Sequence, residues 1–117
     1  MPAPKFLCVC QYGHSRSVAL TRVLHRDKVE AAAVGRMTAP AALAVLAEWA
    51  DVIAVLDRAF VAKLPAEHRH KVTDNFHVGP DVWSNPYSRE LDALLVARYE
   101  AYRASGGAVV QRQNTGP

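Results

Sequence analysis

The stretch Cys10-Gln11-Tyr12-Gly13-His14-Ser15-Arg16-Ser17 constrains this chain more than any other. The apolar run Phe6-Leu7-Cys8-Val9 leads directly into it and reads as a buried strand. Leu20, Val23 and Leu24 leave it at helical spacing. A cysteine therefore stands where a strand ends, an arginine opens the next helix, and five residues separate them. A loop of this kind can wrap a tetrahedral oxyanion, because its backbone N–H groups point inward at the positive end of a helix. Arg16 would grip two oxygens with its planar fork, and the same field would hold Cys10 as a thiolate. A cysteine and an arginine at this spacing are weak evidence alone; the strand before and the helix after give the pattern its weight.

The rest of the chain must supply a scaffold for that loop. Its 117 residues suffice for one domain with a real core and are too few for two. Half of them are apolar, which suits a soluble α/β domain. The formal net charge is +3, but lysines and arginines are scattered and no basic stripe interleaves with aromatics. That pattern argues against nucleic acid as a partner and is compatible with an anionic substrate. No apolar run is long enough to span a membrane and no signal peptide is recognisable, so neither membrane nor secretion is expected. The two cysteines, Cys8 and Cys10, lie two residues apart on one strand, which is poor disulfide geometry. A reducing cytoplasm is the expected compartment.

Taken in order, residues 5–9 read as the first strand and 15–26 as the first helix. Residues 29–34 form a second strand, weak because of its alanines. Thr38 is placed to cap a second helix, with Pro40 in its first turn and Leu43, Leu46 and Ala47 in register as far as Trp49. Val52-Ile53-Ala54-Val55-Leu56 is the clearest buried strand, with Asp57 at its carboxyl end. A short helix over 58–64 stops near Pro65, and 70–76 reads as a weaker fourth strand. After the loop 77–84, Asn85 and Pro86 are placed to open a last helix whose apolar stripe is Leu91, Leu94, Leu95, Tyr99 and Tyr102. The alternation predicts an α/β three-layer sandwich, a four-stranded parallel sheet flanked by helices. It fills a single domain over 1–104, followed by a polar, flexible tail over 105–117. Ligands of such sheets bind beyond the carboxyl ends of the strands, where Cys10, Asp57 and the loop around Asp81 all fall.

At residues 10–17 the chain resembles the cysteine-dependent phosphatases, and in element order it is similar to the low-molecular-weight protein tyrosine phosphatase family. The likeness to that family's short bacterial and phage-encoded branch rests on Pro80-Asp81. The spelling Cys-x-x-Gly-x-x-Arg-Ser is also used by dual-specificity phosphatases. Those enzymes carry a His before the Cys and an acid upstream of it, whereas Val9 stands here and few residues precede it. The resemblance implies Cys10 as nucleophile and Arg16 as catalytic phosphate ligand. It implies Ser17 as the hydroxyl that steadies the thiolate, and Gln11, Tyr12, Gly13, His14 and Ser15 as the remaining phosphate-binding loop. Asp81 is the implied general acid, and Trp83 the implied wall of the substrate cleft. Three departures stand out. Tyr12 and Gly13 replace the family's usual Gly and Asn, and Gly13 can supply the left-handed conformation that Asn provides. Ser15 stands where many members carry a second Cys. The usual Asp-Pro pair is absent in that form, and Asn85-Pro86 is an alternative alignment for it.

The implied activity is a metal-independent hydrolysis of phosphomonoesters, phosphotyrosine-like aryl phosphates above all, through a phosphocysteine and with no cofactor. The partner is then a phosphorylated protein or a small phosphomonoester. Arsenate reduction on the same scaffold is the first alternative, and it lacks any cysteine after Cys10 for a relay. A non-catalytic phosphate- or phosphopeptide-binding module is the second, and a sugar-transport phosphocarrier is disfavoured by Arg16. Cys8 reads as core, Asp74 as a reserve acid, Asp57 as structural support, and His14 as a group at the loop mouth that tunes phosphate affinity. His68, His70 and His77 lack partners of metal-ligand spacing. Trp49, Tyr99 and Tyr102 read as packing residues.

Overall fold

Phe6–Val9 forms β1, and all four of its residues are buried. It is the spine of the sheet, pairing in parallel with β2 (Ala31–Val34) on one side and β3 (Val52–Val55) on the other. β4 (Val72–Thr73) lies outside β3, so the order is β2-β1-β3-β4. The helices are α1 (Arg16–Arg26), α2 (Pro40–Trp49) and α3 (Arg89–Ala104), with 3-10 turns at Arg58–Lys63 and Ala66–Lys71. This computed structural model describes residues 4–10, 15–35, 37–73, 75–78 and 85–106.

The period-two alternation of β1 divides the core into two layers. Phe6, Cys8 and Cys10 face one way, onto Leu20, Val23 and Leu24 of α1 and Leu91, Leu95, Tyr99 and Tyr102 of α3. Leu7 and Val9 face the other way with Ile53 and Val55, onto Leu43 and Ala47 of α2 and onto Phe60 and Leu64. A strand sandwiched like this must be apolar on both faces, as β1 and β3 are. Burying one such side chain contributes roughly 1.5–3 kcal/mol. Phe6 is wedged edge-on against Phe76 and Tyr102, with ring centroids 6.0 and 5.7 Å away. The four-stranded parallel sheet between helices is the architecture that the alternation of elements predicts.

Several boundaries differ from the sequence reading. Thr38 does not cap α2: Ala39 holds that position, and the Thr38 hydroxyl accepts instead from Gly35 N–H at 3.3 Å. Asn85 does not cap α3 either. Its Oδ1 accepts from Tyr87 N–H at 2.8 Å, closing a local turn, while Ser88 Oγ accepts from Leu91 N–H at 3.3 Å and opens the helix. Asn and Asp make such two-residue turns readily. β4 covers only 72–73 because the preceding residues wind into the second 3-10 turn. Leu94, placed in the stripe of α3 by spacing, is 41% exposed, since α3 is covered on one side only.

α1 ends in a hydrogen-bonded stop that explains an unusual backbone. Val29 N–H donates to Leu24 C=O and Lys28 N–H to His25 C=O, both at 3.0 Å. This is the paired Schellman arrangement, completed by apolar Val29 lying in the same core cluster as Leu24. Lys28 occupies the left-handed position, φ 61°, where glycine is usual. α3 uses Gly106, φ 86°, for the same purpose. Beside the Lys28 turn, Tyr99 Oη donates to Asp27 Oδ2 at 2.5 Å, and Arg26 pairs with Asp92, joining α1 to α3. Burial above all, and then the bond to Asp27, pushes the Tyr99 hydroxyl up to about 12.

Lys28→Gly should therefore stabilise the protein. Relief of left-handed strain, about 1–2 kcal/mol for a residue with a Cβ, outweighs the extra chain entropy of glycine, about 0.5–1 kcal/mol. A higher urea midpoint at unchanged slope is expected; a lower one would show that the Lys28 side chain contributes more than its backbone costs.

Candidate active site

Cys10 follows β1 directly, and Arg16 is the first residue of α1. The ladder holds the start of the loop in place: Cys10 N–H donates to Val34 C=O at 3.2 Å, and Leu56 N–H donates to Val9 C=O at 2.8 Å. The chain leaves β1 for β2 on one side and later returns to β3 on the other. The crevice between β1 and β3 is thus the point where the strand order reverses, the usual ligand site of an open parallel sheet. Cys10 and Asp57 are the residues at its two lips.

Two groups from the first turn of α1 converge on the Cys10 sulfur. Ser17 Oγ is 3.1 Å from Sγ, and Ser17 N–H donates to Sγ at 3.4 Å. When the sulfur is a thiol it donates to the hydroxyl; when it is a thiolate the hydroxyl reverses and donates to it. Ser15, Arg16 and Ser17 are all buried, and the first turn of α1 contains no acidic residue, which leaves its positive end open to an anion.

Arg16 is the largest buried side chain among the described residues, with 2% of its surface exposed. Its Nη1 donates to Leu56 C=O at 3.0 Å, and its Nη2 lies 3.8 Å from Asp57 Oδ2. A guanidinium in such surroundings requires acceptors for its donors. Here the carboxyl end of β3, forty residues along the chain, supplies one acceptor, Leu56 C=O, and a carboxylate as counter-charge. The sequence reading gave Asp57 a structural role and missed its link to Arg16. The available signal was its position, an acid closing a buried strand at the ligand edge.

Cys8, two residues before Cys10, lies in a different environment. Both neighbouring strands flank it, and burial pushes its thiol from 9.0 up to about 12, with Thr21 pulling down and Cys10 adding to the rise. The two cysteines are not joined by a disulfide. Among the described residues no group of three or more His, Cys, Asp or Glu side chains is placed to hold a metal ion.

The structure thus brings together Cys10, Ser15, Arg16, Ser17 and Asp57. Gln11, Tyr12, Gly13 and His14 lie outside the described residues, as do Asp74, Pro80, Asp81 and Trp83. Trp49, Tyr99 and Tyr102 pack against the core layers, as their helix positions suggest. No helix among the described residues is long and apolar enough to cross a membrane.

No family model matches the sequence, and no curated protein matches it. Solved structures do. The fold is similar to that of Vibrio vulnificus Wzb in complex with benzylphosphonate, with TM-score 0.69 and 17% identity over 89% of this chain and 99% of that one. It is similar to the tyrosine phosphatase Wzb from Escherichia coli K30 in complex with phosphate, with TM-score 0.62, the same 17% identity and the same coverage. A low-molecular-weight phosphotyrosine phosphatase from Vibrio cholerae O395 gives TM-score 0.56 and 17% identity, covering 90% of this chain and 97% of that one. The chain has the low-molecular-weight tyrosine phosphatase fold.

Cys8 should resist iodoacetamide at pH 8 in the folded protein and react once urea unfolds it, as read by peptide mass mapping. Its folded pKa lies above its unfolded value, so the stability it contributes is complete below pH 9 and is lost as pH rises from 9 toward about 12. Cys8→Ala should flatten that alkaline decline in the urea midpoint; an unchanged decline would assign it to other groups.

Proposed function

We propose that this protein is a cysteine-dependent phosphomonoesterase that hydrolyses aryl phosphates of the phosphotyrosine type without a metal ion. The observation that carries this reading is the pairing of Cys10 Sγ with both the hydroxyl and the N–H of Ser17, next to the buried Arg16. The crevice position of these groups supports it, as does the likeness to tyrosine phosphatases of the same fold. Two of those relatives hold benzylphosphonate and phosphate, tetrahedral anions of the class that this loop would take.

In the first step the Cys10 thiolate attacks phosphorus, the S–P bond forms, and the bond to the leaving oxygen breaks in line. Arg16 and the N–H groups at the start of α1 stabilise the equatorial oxygens. Asp81 donates its proton to the departing phenolate oxygen. In the second step water attacks phosphorus and gives its proton to Asp81. The S–P bond breaks, and the sulfur leaves as a thiolate that Ser17 Oγ–H and N–H stabilise. Trp83 would flank the aromatic leaving group. The loop residues Gln11, Tyr12, Gly13, His14 and Ser15 complete the phosphate cradle. The cytoplasm is the proposed setting, since a catalytic thiolate survives there.

Turnover of para-nitrophenyl phosphate should persist in chelator, be inhibited competitively by phosphate, and vanish in Cys10→Ser without loss of fold. Metal-restored activity after chelation, or an active Cys10→Ser, would overturn the mechanism. Asp81→Asn should slow phosphotyrosine hydrolysis by about 10²–10⁴-fold, since a general acid contributes that much, and para-nitrophenyl phosphate far less. An equal loss on both substrates, with the leaving-group dependence appearing in Asp74→Asn instead, would move the acid to Asp74.

A further inference from the structure

Arg16 and Asp57 form an ion pair whose two members are each held in place by other bonds. The guanidinium is buried, and Nη1 is committed to Leu56 C=O at 3.0 Å. Nη2 faces Asp57 Oδ2 at 3.8 Å. The other oxygen of the same carboxylate, Oδ1, accepts from Ala59 N–H at 3.1 Å and caps the turn Arg58–Lys63. Phe60 N–H donates to the Asp57 carbonyl at 3.0 Å, and Phe60 itself is buried in the second core layer. The carboxylate therefore cannot swing without giving up its cap, and the cap is anchored by Phe60 in the core. Leu56, the other acceptor, is held to β1 through Val9. One side of the guanidinium is thereby referenced to β3 and to the turn that follows it. Asp57 is 23% exposed, so this clamp stands at the crevice rather than in the sealed interior.

We infer that Asp57 is a positioning residue for Arg16: by joining the cap of the 58–63 turn to the guanidinium, it sets the plane of the phosphate-gripping fork. This inference rests on the phosphatase reading of the site and deepens it. Two consequences follow from the geometry. Orientation matters most where charge redistributes over the equatorial oxygens, so a loosened fork lowers kcat. The carboxylate also offsets part of the positive charge of Arg16, so its loss does not weaken the hold on the dianionic product.

Asp57→Asn and Asp57→Ser test this, because each retains an oxygen that can cap Ala59 N–H while removing the charge, and Ser also removes the reach. On para-nitrophenyl phosphate both should lower kcat by about tenfold or more, on the scale of a misplaced catalytic group. Inhibition by inorganic phosphate should be tighter, and far-UV circular dichroism should show the fold intact, although loss of the carboxylate beside a buried charge lowers the urea midpoint. In an Arg16→Lys background, which lacks the fork, Asp57→Asn should change kcat less than about twofold, the signature of two residues acting as one unit. Wild-type kcat in both Asp57 variants would reduce Asp57 to a turn cap and overturn the inference. So would a tenfold loss that persists on Arg16→Lys, or a loss accompanied by unchanged or weakened phosphate inhibition. If the wild type turns over no aryl phosphate, the phosphatase reading fails by itself. Calorimetry with inorganic phosphate then decides the clamp: a tighter affinity in Asp57→Asn that disappears on Arg16→Lys retains it, and an unchanged or weaker affinity ends it.

Discussion

The burial of one positive charge organises this molecule. A guanidinium removed from water is costly unless its donors meet acceptors. One donor of Arg16 meets the carbonyl of Leu56, and the carboxylate of Asp57 stands 3.8 Å from another as counter-charge. That requirement ties the first turn of α1 to the carboxyl end of β3, so β1 and β3 must be neighbours and their ends must be level. The register provides this: Phe6 stands opposite Val52, and Val9 opposite Val55. With those ends aligned, Cys10 and Asp57 become the two sides of one crevice.

The same register gives the two cysteines different surroundings. Cys8 lies within the strand, paired on both sides and sealed by α1 and α3, where burial suppresses ionisation. Cys10 lies one step past the last strand residue, where β1 gives way to the α1 turn and Ser17 offers its hydroxyl and its N–H. Both side chains point to the same face of the sheet. A displacement of two residues along one strand thus separates a packing thiol from a candidate nucleophile.

At the opposite end of the sheet the structure is held by different means. Phe6, Phe76 and Tyr102 form an aromatic cluster under the start of β1. Arg26–Asp92 and Arg103–Asp27 join α1 and α3 around it. These pairs are exposed on at least one partner and contribute little by themselves, typically about 0–1 kcal/mol. The aromatic burial does most of the holding there. Phe76 has a second consequence, since it anchors the chain after β4 to the same core layer that carries Cys10.

The sequence by itself determined the local grammar: a buried strand, a loop of fixed length between Cys10 and Arg16, a helix, and the alternation that builds a parallel sheet. These features are legible because strand and helix periods are short-range properties of neighbouring residues, and because an anion loop needs particular residue types at fixed spacing. Tertiary structure decided what depends on distant partners. It left Leu94 in solvent although its spacing matched the buried stripe. It shortened β4 to two residues and moved the cap of α3 from Asn85 to Ser88, since Asn85 could satisfy a nearer N–H first. It joined Arg16 to Leu56 and Asp57 across forty residues of chain, a contact that no local pattern announces. A hydrophobic period states which face of an element is buried; only the packed sheet states which other element meets that face, and therefore where a buried charge finds its acceptors.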